Sequence, residues 1–182
     1  VRKEMNQFTN IPEELNLLPQ WVCRKGKIPY NPVTGAPAKA GQPATWASFE
    51  DAVNVYENGG YDDIGFEFNN NGVVGVDLDH VIADDGSLSA EAVEIVAMLD
   101  SYTEYSLSGK GLHIFVKGDI PVDGRKKGYI EMYKAKRYFT MTGNVYGKLK
   151  PINERPEEVI QIFNEYFTKS VSVNLTMEAN ID

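Results

Sequence analysis

Ile64-Gly65-Phe66-Glu67-Phe68, Asn69-Asn70-Asn71-Gly72 and Val73-Val74-Gly75-Val76-Asp77-Leu78-Asp79 follow one another near the middle of the chain. The first and last are runs of β-branched and aromatic residues, and the asparagine-glycine cluster between them is a strong turn signal. The stretch therefore reads as strand, turn, strand. Side chains alternate along a strand, so Asp77 and Asp79 project to one side while Val76 and Leu78 face a core. Two carboxylates 4 Å apart repel by about 4 kcal/mol at an effective dielectric near 20. A divalent cation would supply the opposing charge. The plainer alternative is a strand end running into a polar loop, since Asp84 and Asp85 follow.

Working outward, Trp21 to Arg24 and Lys27 to Tyr30 flank Lys25-Gly26 and read as a hairpin. Asn31 to Gly35 is a second turn, and loop continues to Pro43. Ser48 and Ser89 are candidate N-caps for helices carrying Phe49, Ala52, Val53 and Tyr56, and Ala92, Val93, Ile95, Val96 and Leu99. Tyr105 to Leu107 and Leu112 to Val116 are strand candidates around Ser108-Gly109-Lys110-Gly111, as are Tyr129 to Tyr133 and Arg137 to Thr142. A last helix starts near Pro156 and carries Val159, Ile160, Ile162, Phe163 and Phe167. Strands alternating with three helices give an α/β or α+β class, best read as a split arrangement of antiparallel strands with helices on one face. Residues 169–182 read as a linker or frayed tail.

At 182 residues, with 42% hydrophobic and 24% charged residues, the sequence suits one globular domain. There is no run of the ~18 apolar residues that a membrane span needs. Val1-Arg2-Lys3-Glu4 lacks the apolar run of a secretory signal, and without Met it reads as a trimmed start. Cys23 is the single cysteine, which excludes an internal disulfide, and a cytoplasmic location follows by default. The net charge of −8 argues against a nonspecific nucleic-acid coat. Between Ser106 and Lys150, however, ten basic residues face three acids, a local field that attracts polyphosphate.

Three further constellations carry chemistry. In Ser106 to His113 the glycines on either side of Lys110 permit a tight turn with outward amides, where Ser108 and Lys110 could hold phosphate oxygens. His113 follows at the mouth of an apolar strand. Glu131 interrupts a strand of large β-formers, where a carboxylate has no packing value; alternatively it faces outward and pairs with Lys134 or Lys136. The run from Lys136 to Asn144 sets cations against aromatics and hydroxyls, a mixture that suits a triphosphate and a stacked base or sugar, or an ordinary sheet edge.

In this order, Asp77 and Asp79 on a strand, Ser108 to His113, then Glu131 before a basic strand, the sequence resembles the archaeo-eukaryotic primase superfamily. It looks most like the prim-pol domains of phages and plasmids, over residues 10 to 168. The resemblance implies an α+β fold: an RRM-like antiparallel sheet with flanking helices over about residues 61–168, and a small N-terminal α/β subdomain over about 10–60. It further implies template-dependent nucleotidyl transfer with two Mg²⁺ or Mn²⁺ ions on Asp77, Asp79 and Glu131. Ser108, Lys110, His113, Arg137 and Asn144 would contact the nucleotide, and Tyr138 its sugar. Arg125, Lys126 and Lys127 would guide a single-stranded DNA template. The substrates would be dNTP or NTP, and the partner a helicase, in the same longer chain or separate. One departure is Glu131, where many relatives carry Asp. Two rival readings stand beside this one: a TOPRIM-like nuclease, for which Glu67 is the nearby candidate acid, and a non-catalytic replication-initiator module that binds DNA or nucleotide.

Overall fold

The turn at residues 69–72 does not fold its two strands onto each other. In the computed structural model, which describes residues 6–169, β3 (Asp63–Asn69) and β4 (Val73–Leu78) belong to different sheets. Asn70 and Gly72 take left-handed conformations, at φ 50° and 92°. Their backbone groups pair elsewhere: the Asn70 N–H donates to the Lys134 carbonyl, and the Gly72 carbonyl accepts from the Gly118 N–H. The chain thereby steps from one layer to the next, where the sequence suggests a single sheet.

The first sheet has the order β2-β1-β3-β9 and is antiparallel throughout, with β1 (Trp21–Lys25), β2 (Ile28–Tyr30) and β9 (Ala135–Met141). The second has the order β10-β6-β4-β8-β7, built from β6 (Leu112–Lys117), β7 (Gly124–Lys127), β8 (Ile130–Tyr133) and β10 (Asn153–Glu154). β5 (Thr103–Tyr105) also pairs with β6, on the edge that the parallel strand β10 continues. Thus β3 and β9 join the N-terminal hairpin in one sheet. The class is α+β.

The helices begin where their caps are. Ser48 Oγ accepts from the Asp51 N–H at the head of α2 (Phe49–Glu57), after the single turn α1 (Glu13–Asn16). Ser89 Oγ does the same for the Ala92 N–H in α3 (Ala90–Leu99). Such caps satisfy amides that would otherwise lack partners. α4 (Pro156–Phe167) opens on a proline, whose missing N–H costs nothing in the first turn. Among the described residues no helix is long and apolar enough to cross a membrane.

α3 and α4 cover one face of the second sheet, burying Val76, Leu78, Ile114, Ile130 and Met132 against Ile95, Leu99, Val159 and Phe163. Its other face meets the first sheet through Phe115, whose ring contacts those of Phe66, Phe68 and Phe139. Each such buried side chain contributes about 1.5–3 kcal/mol. Trp21 and Ala52 extend the same apolar layer under α2. The sequence reading misses α1, β7 and β10. The first and last are only four and two residues long, and β7 is a charged edge strand with no apolar alternation. The suggested tail lies, from residue 170 on, outside the described residues.

The outer face of the first sheet holds an anomaly. Glu67 is fully buried, on the opposite side of β3 from Phe66 and Phe68, and neither carboxylate oxygen has a partner among the described residues. Burial pushes its pKa up from the ordinary 4.5 to about 7. The folded state therefore keeps a proton that the unfolded chain releases, so stability falls as pH rises from 4.5 to about 7. At about 1.4 kcal/mol per pKa unit the loss is on the order of 3 kcal/mol. Glu67→Gln should match the wild type in thermal melts near pH 4 and melt higher above pH 7. Melting curves that stay parallel across that range would show that Glu67 does not carry the effect.

Candidate active site

Asp77 sits on β4 between two neighbours in register, His113 on β6 and Glu131 on β8. The three side chains form one row across the second sheet, on the face that looks towards the first. Alternation sends Val76 and Leu78 into the helix-covered core, as expected. Asp79 lies one residue beyond β4 and is tied down by its N–H to the Tyr129 carbonyl, 2.8 Å. Asp77, Asp79 and Glu131 each offer a carboxylate oxygen within 4.8 Å of the others.

Their electrostatics follow from this crowding. Burial, then the charges of Asp79 and Glu131, push Asp77 up to about 7. Burial and Glu131 raise Asp79 as well. Burial also works to raise Glu131, but the Tyr133 hydroxyl (2.7 Å), Lys126 and Arg137 outweigh it and hold this carboxyl below its ordinary range. The cations stand close: Lys126 Nζ is 3.4 Å from Glu131 and 3.9 Å from Asp79, and Arg137 is 3.7 Å from Glu131. Glu131 is thus buried and served by Lys126 and Arg137, whereas Lys134 and Lys136 pair with Asp119 and Asp123. Asp77 Oδ1 is buried without a hydrogen-bond partner, with His113 Nε2 3.5 Å away. An orphaned oxygen among three converging acids fits a divalent cation, whose all-oxygen shell it would help complete.

Above this row lies a pocket of about 330 Å³ lined by Asp77, His113, Arg137, Tyr138 and Thr140, with Lys27 from the distant hairpin. His113 stacks on Phe139, centroids 4.7 Å apart, and burial lowers its pKa to about 4, so the imidazole is neutral. A β-bulge delivers Arg137: the register between β3 and β9 slips between Glu67 and Asn69, and Lys136 takes φ 57°. The guanidinium then lies 5.1 Å over the Tyr133 ring. Glu104, missed in the sequence, accepts from the Tyr102 hydroxyl and from the Thr142 and Gly143 amides, fixing the chain just beyond β9.

Other expected residues lie apart. Ser108 accepts from the Lys110 N–H inside its turn, and Lys110 Nζ is engaged by Asp84 at 2.6 Å. Asn144 is exposed, its carbonyl accepting from the Tyr105 N–H. Of the basic trio on β7, Lys126 faces the acids; Arg125 and Lys127 pair in register with the core residues Met132 and Ile130, and so project to the other side of the strand. Glu67 is not a member of the acid cluster.

Three acids that could hold a metal ion thus lie beneath a pocket lined by the cations Lys27 and Arg137. Over 177 residues the chain is 32% identical to a DNA primase-polymerase of Nitratiruptor phage NrS-1, a match covering 90% of this chain and 25% of that protein. The chain spans about a quarter of the length of that relative. The likeness is consistent with a prim-pol domain of the archaeo-eukaryotic primase type. No protein-family model matches the chain.

Proposed function

We propose that this domain joins nucleotides on a DNA template, as a primase-polymerase of phage or plasmid type. The observation that carries the reading is the row His113, Asp77 and Glu131 on three neighbouring strands, with Asp79 completing the acids beneath a pocket that holds Arg137. Held by Asp77, Asp79 and Glu131, two Mg²⁺ or Mn²⁺ ions would make an attacking 3′-hydroxyl more acidic and neutralise charge on departing pyrophosphate.

The chain's own residues bind and orient. Arg137 offers a planar fork to phosphate oxygens, fixed over Tyr133 and held near Glu131 until a nucleotide arrives. His113, neutral and clamped against Phe139, adds an uncharged hydrogen-bonding group beside Asp77. Tyr138 forms the pocket wall where a sugar would rest. Lys126 balances the charge of Asp79 and Glu131, while Arg125 and Lys127 offer phosphate contacts on the sheet edge. Positioning and electrostatics supply most of the rate in phosphoryl chemistry, so no dedicated general base is required. Glu67 lies outside the acid cluster, which removes the support for a TOPRIM-like arrangement.

The test is extension of a labelled primer on single-stranded DNA, with dNTP and NTP supplied separately and Mg²⁺ or Mn²⁺ present. Template-dependent elongation is expected. Shortening of the DNA without nucleotides would indicate a nuclease, and nucleotide binding without turnover a non-catalytic module.

A further inference from the structure

Lys27 reaches the nucleotide pocket from a part of the chain that none of the recognised motifs includes. It stands at the tip of the β1–β2 hairpin, two strands away from β9 in the first sheet, yet it lines the same pocket as Asp77, His113 and Arg137. We propose that Lys27 is a specificity-determining residue that grips the terminal phosphate of the incoming nucleoside triphosphate. The proposal rests on the reading of the acid row as a nucleotidyl-transfer site.

Three observations support it. First, the hairpin tip is held rigidly. Gly26 turns at φ 61° and its N–H donates to Asp62 Oδ2 at 2.7 Å, while the Asp62 N–H donates to the Arg24 carbonyl. Arg24 binds Asp63 with a two-pronged contact of 2.8 and 2.5 Å, and also donates to the Gly26 carbonyl. A lysine on such a tip is presented from a fixed origin, unlike one on a loose loop.

Second, its charge is uncommitted. Asp62 and Asp63, the acids that brace the hairpin, are occupied by Gly26 and Arg24, and Lys27 forms no ion pair among the described residues. An exposed cation without a partner is cheap to keep in water and ready for an anion.

Third, the pocket cations divide by position. Arg137 leans on Glu131, next to the acids that would hold the reacting phosphate, whereas Lys27 shares the pocket with Asp77 but forms no ion pair with any of the three acids among the described residues. A chain of phosphates leading away from the reacting bond would meet Arg137 first and Lys27 last. Gly65 lets the Tyr138 ring of the pocket wall pack close over β3. A Cβ there would lie 2.7 Å from the Tyr138 ring and 3.2 Å from Val22.

The experiment compares wild type, Lys27→Ala and Lys27→Arg. In primer extension Lys27→Ala should raise KM for dNTP about 10-fold, the effect of losing one charge-assisted phosphate contact, with kcat changed less than about twofold. Lys27→Arg should restore most of the affinity, and single-stranded DNA binding and melting temperature should not move. Calorimetric titration with dTTP and dTDP, without primer, separates the phosphates: the alanine variant should lose affinity for the triphosphate and keep it for the diphosphate. Equal losses for both, or none, would overturn the assignment. A wild type that binds dTTP but extends no primer would sink the polymerase reading and leave the Lys27 comparison intact. A wild type that binds neither nucleotide would sink both.

Discussion

Asp77→Asn should cut primer extension by about a thousandfold or more, corresponding to about 4 kcal/mol of lost transition-state stabilisation. The side chain keeps its size, so the β4 strand and its neighbours have no reason to move. What changes is charge. Asp77 is the middle acid of the cluster, in register with both His113 and Glu131, and its Oδ1 is the buried oxygen without a partner. An amide there offers one weaker oxygen and a donor that repels a cation. The same substitution relieves the repulsion from Asp79 and Glu131 that, with burial, pushes Asp77 up to about 7. The melting temperature at pH 8 should therefore be unchanged or higher, and the rise in melting temperature that Mn²⁺ gives the wild type should disappear. Wild-type extension by this variant would remove Asp77 from the mechanism. A retained Mn²⁺ shift would place the metal elsewhere.

Gly75→Ala is expected to be strongly destabilising. Gly75 lies two residues before Asp77 on β4, on the face where the two sheets meet. A Cβ built there would lie 2.2 Å from Phe68 Cζ and 2.6 Å from Phe139 Cε2. Neither ring has room to retreat. Phe68 is enclosed by Phe66, Phe115 and Phe139, and Phe139 also stacks on His113. Overpacking of this kind costs about 3 kcal/mol, at the upper end of its usual range. For a chain of this size that lowers the melting temperature by roughly 10 °C. Any separation of the sheets that accommodates the methyl also displaces His113 through Phe139, so activity per folded molecule should fall as well. A variant that melts within about 2 °C of wild type would show that the inter-sheet layer is softer than these contacts imply.

These two positions also show what the sequence makes legible. The period-2 rule placed Asp77 correctly because one strand suffices to decide which way a side chain points. The caps at Ser48 and Ser89 were equally local. Glu131 was identifiable as a carboxylate out of place among β-formers, although its partners, Lys126 and Arg137 rather than Lys134 or Lys136, depend on pairing between strands. The division into two sheets was hidden because a turn signal at residues 69–72 says that the chain bends but not which strand receives it. Lys27 had no local signal at all. Its role depends on the order β2-β1-β3-β9, which no pattern in residues 21–30 contains. Glu67 and Glu104 look alike as single acids in strands, yet the first is orphaned and the second accepts three hydrogen bonds.

The walls of the pocket belong to separate layers. Asp77 and His113 stand on the second sheet, Arg137 and Tyr138 on the first, and the bridges between them at this point are the His113–Phe139 stack and the contacts of Arg137 with Glu131 and Tyr133. A bound triphosphate spanning both walls would therefore act as a clasp. It would add a further tie between two layers that meet here through aromatic contacts and the Arg137–Glu131 ion pair, and amide protons of β9 would exchange more slowly with solvent whenever substrate is in place.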